Sequence, residues 1–504
     1  MTISNDAGFP IKGKISEKEQ FAELLFPGLG VKKDFLRRLV ILLLTLLFYS
    51  YSIHAQYIKE ILEYRPAPGQ FINLSSTGTP EAAQSIIGED PGMVSLGSAG
   101  GYIVFRFDGP VINDPANPFG VDFTLFGNSL PQWAEPAAVY VMKDQNGNSL
   151  PDDKWFLLAG SDYYFSTSHK DHQIKYYQPG SVMEDIAWRN SLGETGFVKR
   201  NSYYEQDYYP AERFPGYFYD DSCSFSFLKI EGKLETGSST GVKSYPRAFG
   251  FADNKPKAFT DHIFPDNPYT NEAEGYGGDG FDLSWAVTEN GDYIELDTAD
   301  FVRVQTAMYG NSEAVGEVSS ELKGGILTLA DPSLTGRSEM LVIEDVPADI
   351  PPGQYQLKVY FFKNGRPVDD VNINWVSSNP ATEISSEGRI EIEDNTHTEV
   401  HATARNGEII SNTVILNGAT ITSLSSNYFH EEAIIFPNPS NKNIFLRESI
   451  KGEVCIYDMN GVLIRDYGTT GHGKAIDISF LHPGIYLIKI QEKRKPKHVI
   501  LIKN

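Results

Sequence analysis

Cysteine is almost missing from this chain: its 504 residues include only Cys223 and Cys455. Two cysteines so far apart exclude a disulfide framework, and neither has the cysteine or histidine neighbours of a metal site. A chain does without disulfides when its domains bury enough core, and 41% hydrophobic residues are ample for that. Positive charge is also short. Lysine and arginine number 43 against 66 aspartates and glutamates, for a formal net charge of −23. Such a chain repels phosphates, so no nucleic acid is expected as a partner. It suits an acidic extracellular surface or one that holds cations. The HExxH and Walker-type patterns are absent. The sequence therefore leans away from an enzyme. Glycoside hydrolysis stays open, because its paired carboxylates need closeness in space and leave no fixed spacing.

Turn and aromatic residues are abundant instead, with 45 glycines, 27 tyrosines and 30 phenylalanines. This composition favours short strands joined by turns, and the length calls for more than one domain. The chain reads as all-β. A large β-sandwich or jelly-roll-like domain is expected over 56–325, with strands near 102–107, 122–128, 138–142 and 154–158. Residues 326–418 resemble a bacterial immunoglobulin-like domain, with Trp375 in a middle strand but no cysteine pair. Such modules serve as spacers. A polar linker over 419–433 leads to a small β-sandwich over 434–504.

The apolar run LVILLLTLLF at 39–48 follows Lys32, Lys33, Arg37 and Arg38 and precedes Ser50, Ser52 and Ala55. A basic stretch, a short apolar stretch and a small residue at the cut describe a secretory signal peptide, here 32–55. The run is too short to cross a bilayer, which takes about 20 residues. Cleavage is expected after Ala55, leaving Gln56 first, and no cysteine stands there for a lipid anchor. Residues 1–31 are mixed and polar, unlike the start of a signal peptide. Translation is expected to begin at position 31, in Val31-Lys32-Lys33, with an extended basic region as the alternative.

At the far end, strands alternate with turns at Asn438-Pro439, Asn460-Gly461 and Pro483-Gly484. The opening Pro437-Asn438-Pro439, the central Tyr457-Asp458 and Asn460-Gly461, and Leu481 with Pro483-Gly484-Ile485-Tyr486 closely resemble the C-terminal sorting domain of the type IX secretion system of Bacteroidetes. The resemblance implies recognition by the type IX machinery and passage through the outer membrane. Removal of the domain then follows, with release or attachment to surface lipopolysaccharide. The tail is expected to fold independently.

Three clusters carry candidate chemistry. Asp144, Asn146, Asn148 and Asp152 put oxygen side chains at near-alternate positions, which can wrap a hard cation such as calcium. The loop departs from an EF-hand: glycine is fourth rather than sixth, and Trp155 stands where the closing glutamate would be. A polar hairpin on Asn146-Gly147 is the alternative. Asp279, Asp282 and Trp285 follow the glycines 277 and 278 and suit a ligand or cation, or a tight turn. Asp253-Asn254 and Asp266-Asn267 repeat that pattern more weakly. Tyr208, Tyr209 and Tyr217 offer aromatic platforms for a sugar or flat ligand, or pack on one another as a loop. His169 and His172 read as surface-loop residues.

Residues 64–325 also resemble a family of Bacteroidetes cell-surface proteins. The carriers are 66–71, 94–107, 126–128, 144–155 and 278–285. The resemblance links some members to cobalamin acquisition, an analogy of context rather than of a site. The resulting expectation is a secreted or cell-surface, non-catalytic ligand-binding or adhesion protein, exported by the type IX system and serving nutrient capture of cobalamin or glycan. The alternative is an extracellular polysaccharide hydrolase. A cleft holding two carboxyls roughly 5–10 Å apart would favour the hydrolase, and a shallow aromatic-lined face would favour binding.

Overall fold

The computed structural model describes residues 56–503, apart from 90, 131–132, 202, 211–212, 215–220, 238–240, 260–261, 264, 271, 275–276, 313–315, 347–352, 393–396, 417–434, 437–439, 441, 447–450, 458–462, 472–473, 483 and 492–495. The chain divides into units 1–55 and 56–504, and every described residue belongs to the second. The expected start at position 31, the signal peptide 32–55, Tyr217, and the turn residues Asn438, Asn460 and Pro483 lie outside the described residues.

The protein is nearly all β, as the composition implies. Its first region is built on a seven-stranded antiparallel sheet. The main path runs Ile58–Arg65, Tyr102–Phe107, Phe301–Thr306, Ala137–Met142, Trp155–Leu158, Ala286–Val287, and Phe251–Ala252 pairs onto Ala137–Met142. β-Branched and aromatic residues fill its centre in register. Val302 faces Phe105 on one side and Val141 on the other, and Val304 faces Ile103 and Val139. Such cross-strand pairs stabilise a sheet at roughly 0.2–1 kcal/mol each. Alternate side chains turn to the other face, where Arg303 stacks among Tyr140, Trp155 and Tyr102 at 4.2, 5.0 and 5.7 Å. A three-stranded sheet of Asp279–Phe281, Phe123–Phe126 and Gly324–Leu327 covers the apolar face. Phe123 stacks on Phe281 at 5.1 Å within the shared core.

A separate four-stranded antiparallel sheet has the order Thr195–Val198, Ile186–Asn190, His169–Tyr177, Ser222–Lys229. Along His169–Tyr177 burial alternates: His172, Ile174 and Tyr176 point inward, while Gln173, Lys175 and Tyr177 point to water. This period of two marks a sheet with one wet face. The dry face is held by close approach. The Tyr176 hydroxyl donates to the Ala99 carbonyl at 2.8 Å, and Gly100, at φ +92°, leaves no room for a Cβ, which would lie 2.6 Å from Phe225. His172 is therefore a buried strand residue rather than part of a surface loop. Its ring meets the Tyr309 hydroxyl, and burial pushes its pKa down to about 4.

The second region has its own core, including Leu341, Ile343, Phe361, Ile390, Val400 and Val414, with Trp375 packed against it. The strands Glu339–Ile343 and Val359–Lys363 pair there. Alternation sends Val342 and Phe362 the other way, into the core of the first region. Phe362 meets Phe249 edge-on at 5.2 Å, and Arg366 donates to the Ser284 carbonyl at 2.8 Å. This region is cemented to its neighbour, which a simple spacer need not be.

The tail has a third core of Ile444, Leu446, Val454, Ile456, Ile488 and Ile490, among others. Its larger sheet has the order Leu463–Gly471, Lys451–Tyr457, Gly484–Gln491, Pro496–Lys503.

Candidate functional site

The wet face of the four-stranded sheet holds a shallow cleft of about 320 Å³, lined by Gln173, Lys175, Tyr177, Arg189, Ser224 and Ser226 among others. Register explains the grouping. Lys175 lies directly opposite Arg189 on one neighbouring strand and Ser224 on the other. Both cations are exposed, and neither joins an ion pair among the described residues. Like charges placed directly opposite on paired strands repel and cost stability. Serines around them leave the charges uncovered. Tyr177 and Phe197 add exposed aromatic surface at 40% and 52% relative exposure, with the Lys175 ammonium 5.5 Å from the Tyr177 ring centre. No carboxylate lines the cleft among the described residues. Sequence reasoning missed this face, because its signal is one cation from each of two strands that meet only through pairing.

The surface loop predicted to hold calcium gathers all four of its residues. Asp144 Oδ1 accepts the Gly147 and Asn148 N–H groups at 2.8 and 3.2 Å, and Oδ2 accepts Ser149 N–H at 2.9 Å. The Asn146 and Asn148 side-chain amides donate to the two oxygens of Asp152 at 3.0 and 2.9 Å. Those bonds hold the Asp152 carboxyl below its ordinary pKa. The loop is exposed over 145–150 and at Asp152, while Asp144 is half-buried.

The expected ligand face of Tyr208, Tyr209, Asp279, Asp282 and Trp285 does not form an open surface. Tyr208, Tyr209 and Trp285 are fully buried in the main core, because a long loop must satisfy its aromatics somewhere and here folds them inward. Asp279 accepts the Asn254 and Lys255 N–H groups at 2.9 and 3.0 Å; burial raises its pKa to about 7. Asp282 accepts from Ser284 N–H at 2.7 Å and from the Tyr269 hydroxyl at 2.8 Å, and Tyr269 in turn accepts from Trp285 Nε1 at 2.6 Å. These are bracing interactions within the fold.

Sequence reasoning also missed a buried trio, Glu135, Asp253 and Glu321, whose carboxylate oxygens lie within 4.8 Å of one another. Only Asp253 stood out in the sequence, and weakly. The other two come from distant segments with no shared spacing.

The tail places the chain in a class before the cleft does. Residues 434–503 match the family of the secretion system C-terminal sorting domain. The chain therefore carries a tail recognised by the type IX secretion machinery, and it is destined for the cell surface or the extracellular space. No curated protein matches the chain significantly. The expected kinship of residues 64–325 with proteins of cobalamin acquisition draws no support from these comparisons.

Proposed function

We propose that this is a cell-surface binding protein without catalytic activity, whose ligand is an acidic glycan held on the wet face of the four-stranded sheet. The observation that carries the reading is the opposed pair Lys175 and Arg189, both exposed and without an ion-pair partner among the described residues, in a chain of net charge −23. An anionic sugar would relieve their repulsion, and Tyr177 beside them suits a sugar ring. A hydrolase would need two carboxyls on an open cleft, and this cleft offers hydroxyls, an amide and cations instead. Attachment to lipopolysaccharide after removal of the tail would keep the protein at the surface. The Asp144–Asp152 loop is proposed to bind calcium, since four oxygen-bearing side chains already converge there.

Calorimetric titration of the full chain tests the ligand class, with polygalacturonate as the acidic probe and dextran as the neutral one. Polygalacturonate should bind, dextran should not, and Lys175→Glu with Arg189→Glu should weaken binding at least about tenfold, or about 1.4 kcal/mol. Unchanged binding in that double variant would overturn the assignment of the face. Release of new reducing ends from either probe would overturn the non-catalytic reading.

A further inference from the structure

Glu135, Asp253 and Glu321 come from three separate segments and are 4%, 1% and 2% exposed. None forms an ion pair with a lysine, arginine or histidine among the described residues. Three ionised carboxylates so close and so dry repel strongly. Backbone groups fix their positions. Asp253 Oδ1 accepts the Asn128 and Ser129 N–H groups, each at 2.9 Å, and Oδ2 accepts the Glu321 N–H at 2.8 Å. Glu135 Oε1 accepts Ser319 N–H at 3.0 Å, and the Ser319 hydroxyl donates to Glu321 Oε1 at 2.7 Å.

Among the described residues three oxygens here lack a hydrogen-bond partner: Glu321 Oε2 of the trio itself, and Asn128 Oδ1 and Ser129 Oγ on the two residues whose N–H groups Asp253 holds. Asn128 and Ser129 are 9% and 4% exposed, and the Asn128 amide borders the Glu321 carboxylate. A half-turn of that amide exchanges its oxygen and nitrogen positions. Buried oxygens are otherwise almost always satisfied. Charge and hydrogen bonding thus lack the same thing here, a positive group that accepts oxygen ligands.

We propose that Glu135, Asp253 and Glu321 bind one calcium ion in the interior of the first region, with Asn128 and Ser129 supplying further oxygens. The donor set is all oxygen, which selects a hard cation, and the number of available oxygens suits calcium's six to eight ligands. Carboxylates that already accept an N–H through one lone pair keep another for the metal. The ion would pin the segment after Phe123–Phe126, the start of Ala137–Met142, the end of Phe251–Ala252 and the strand Glu321–Leu322 at one point. The rival occupant is the proton: with two of the carboxyls protonated, the trio would be a hydrogen-bonded acid cluster.

The test uses the full chain with Asp144→Asn and Asp152→Asn, which silences the exposed loop. The protein is stripped with EDTA, dialysed into calcium chloride, and its bound calcium is counted by plasma mass spectrometry. One calcium per chain is expected, with melting raised by about 5 °C over the stripped form. Adding Glu321→Gln or Glu135→Gln should abolish both. If those variants fail to fold, the count and the melting shift of the parent decide the matter. No bound calcium with unchanged melting, or calcium retained in both glutamine variants, would overturn the proposal.

Discussion

Arg247 Nε lies 2.6 Å from Asp162 Oδ2, with the two side chains only 6% and 2% exposed. The same guanidinium reaches across to Asp345. Asp162 belongs to the short turn Ser161–Tyr164 of the first region, and Asp345 follows the strand Glu339–Ile343 of the second. One cation therefore binds the two regions electrostatically at a point where Phe249 and Phe362 already join them by packing.

Arg247→Met should strand two carboxylates, one of them deeply buried, at a cost of about 3–5 kcal/mol. Urea denaturation should show a lower midpoint, and adding Asp162→Asn should recover part of the loss. A midpoint equal to wild type would mean that the ion pair contributes nothing.

Gly365 offers a sharper probe of the same junction. It sits at φ +69°, and a Cβ there would lie 2.4 Å from Trp285 Nε1. Gly365→Ala should cost about 1–3 kcal/mol from the clash, with the left-handed backbone adding to it. Differential scanning calorimetry should show lower melting; if the regions part before they unfold, a second transition should appear.

Two buried glutamates make the fold less stable as pH rises. Burial pushes the carboxyl of Glu317 up to about 8 and that of Glu321 up to about 7, from an ordinary 4.5. Folded protein therefore holds protons that the unfolded chain releases. This contribution is complete below 4.5 and is lost as pH rises through the folded values. In EDTA, stability should decline as pH climbs from 4.5 towards about 8, and Glu317→Gln should flatten the upper part of that decline. Calcium should flatten the Glu321 part, because metal binding displaces its proton. Denaturant midpoints across the range, with and without calcium, check both statements.

Much of this was legible in the residues. Alternation and turn signals announced an all-β chain, and the residues Leu481 and Gly484 to Tyr486 helped to mark the sorting tail. Asp144, Asn146, Asn148 and Asp152 meet in one loop because they are close in sequence. Distance along the chain hid the rest. Lys175 and Arg189 become neighbours only through strand pairing, and Glu135 meets Glu321 only after the sheets close. The inward turn of Tyr208 and Tyr209 was illegible for another reason: an aromatic loop has the same composition whether it packs inside or faces water, and only the space beneath it decides.

Export and display through the tail are the claim on which the rest depends. The most direct measurement is protease shaving of intact cells of a host with the type IX system, comparing the full chain with a chain that lacks residues 434–504. The full chain should be cut at the surface, and the truncated chain should stay protected in the periplasm. A truncated chain digested on intact cells to the same extent as the full one would contradict the account.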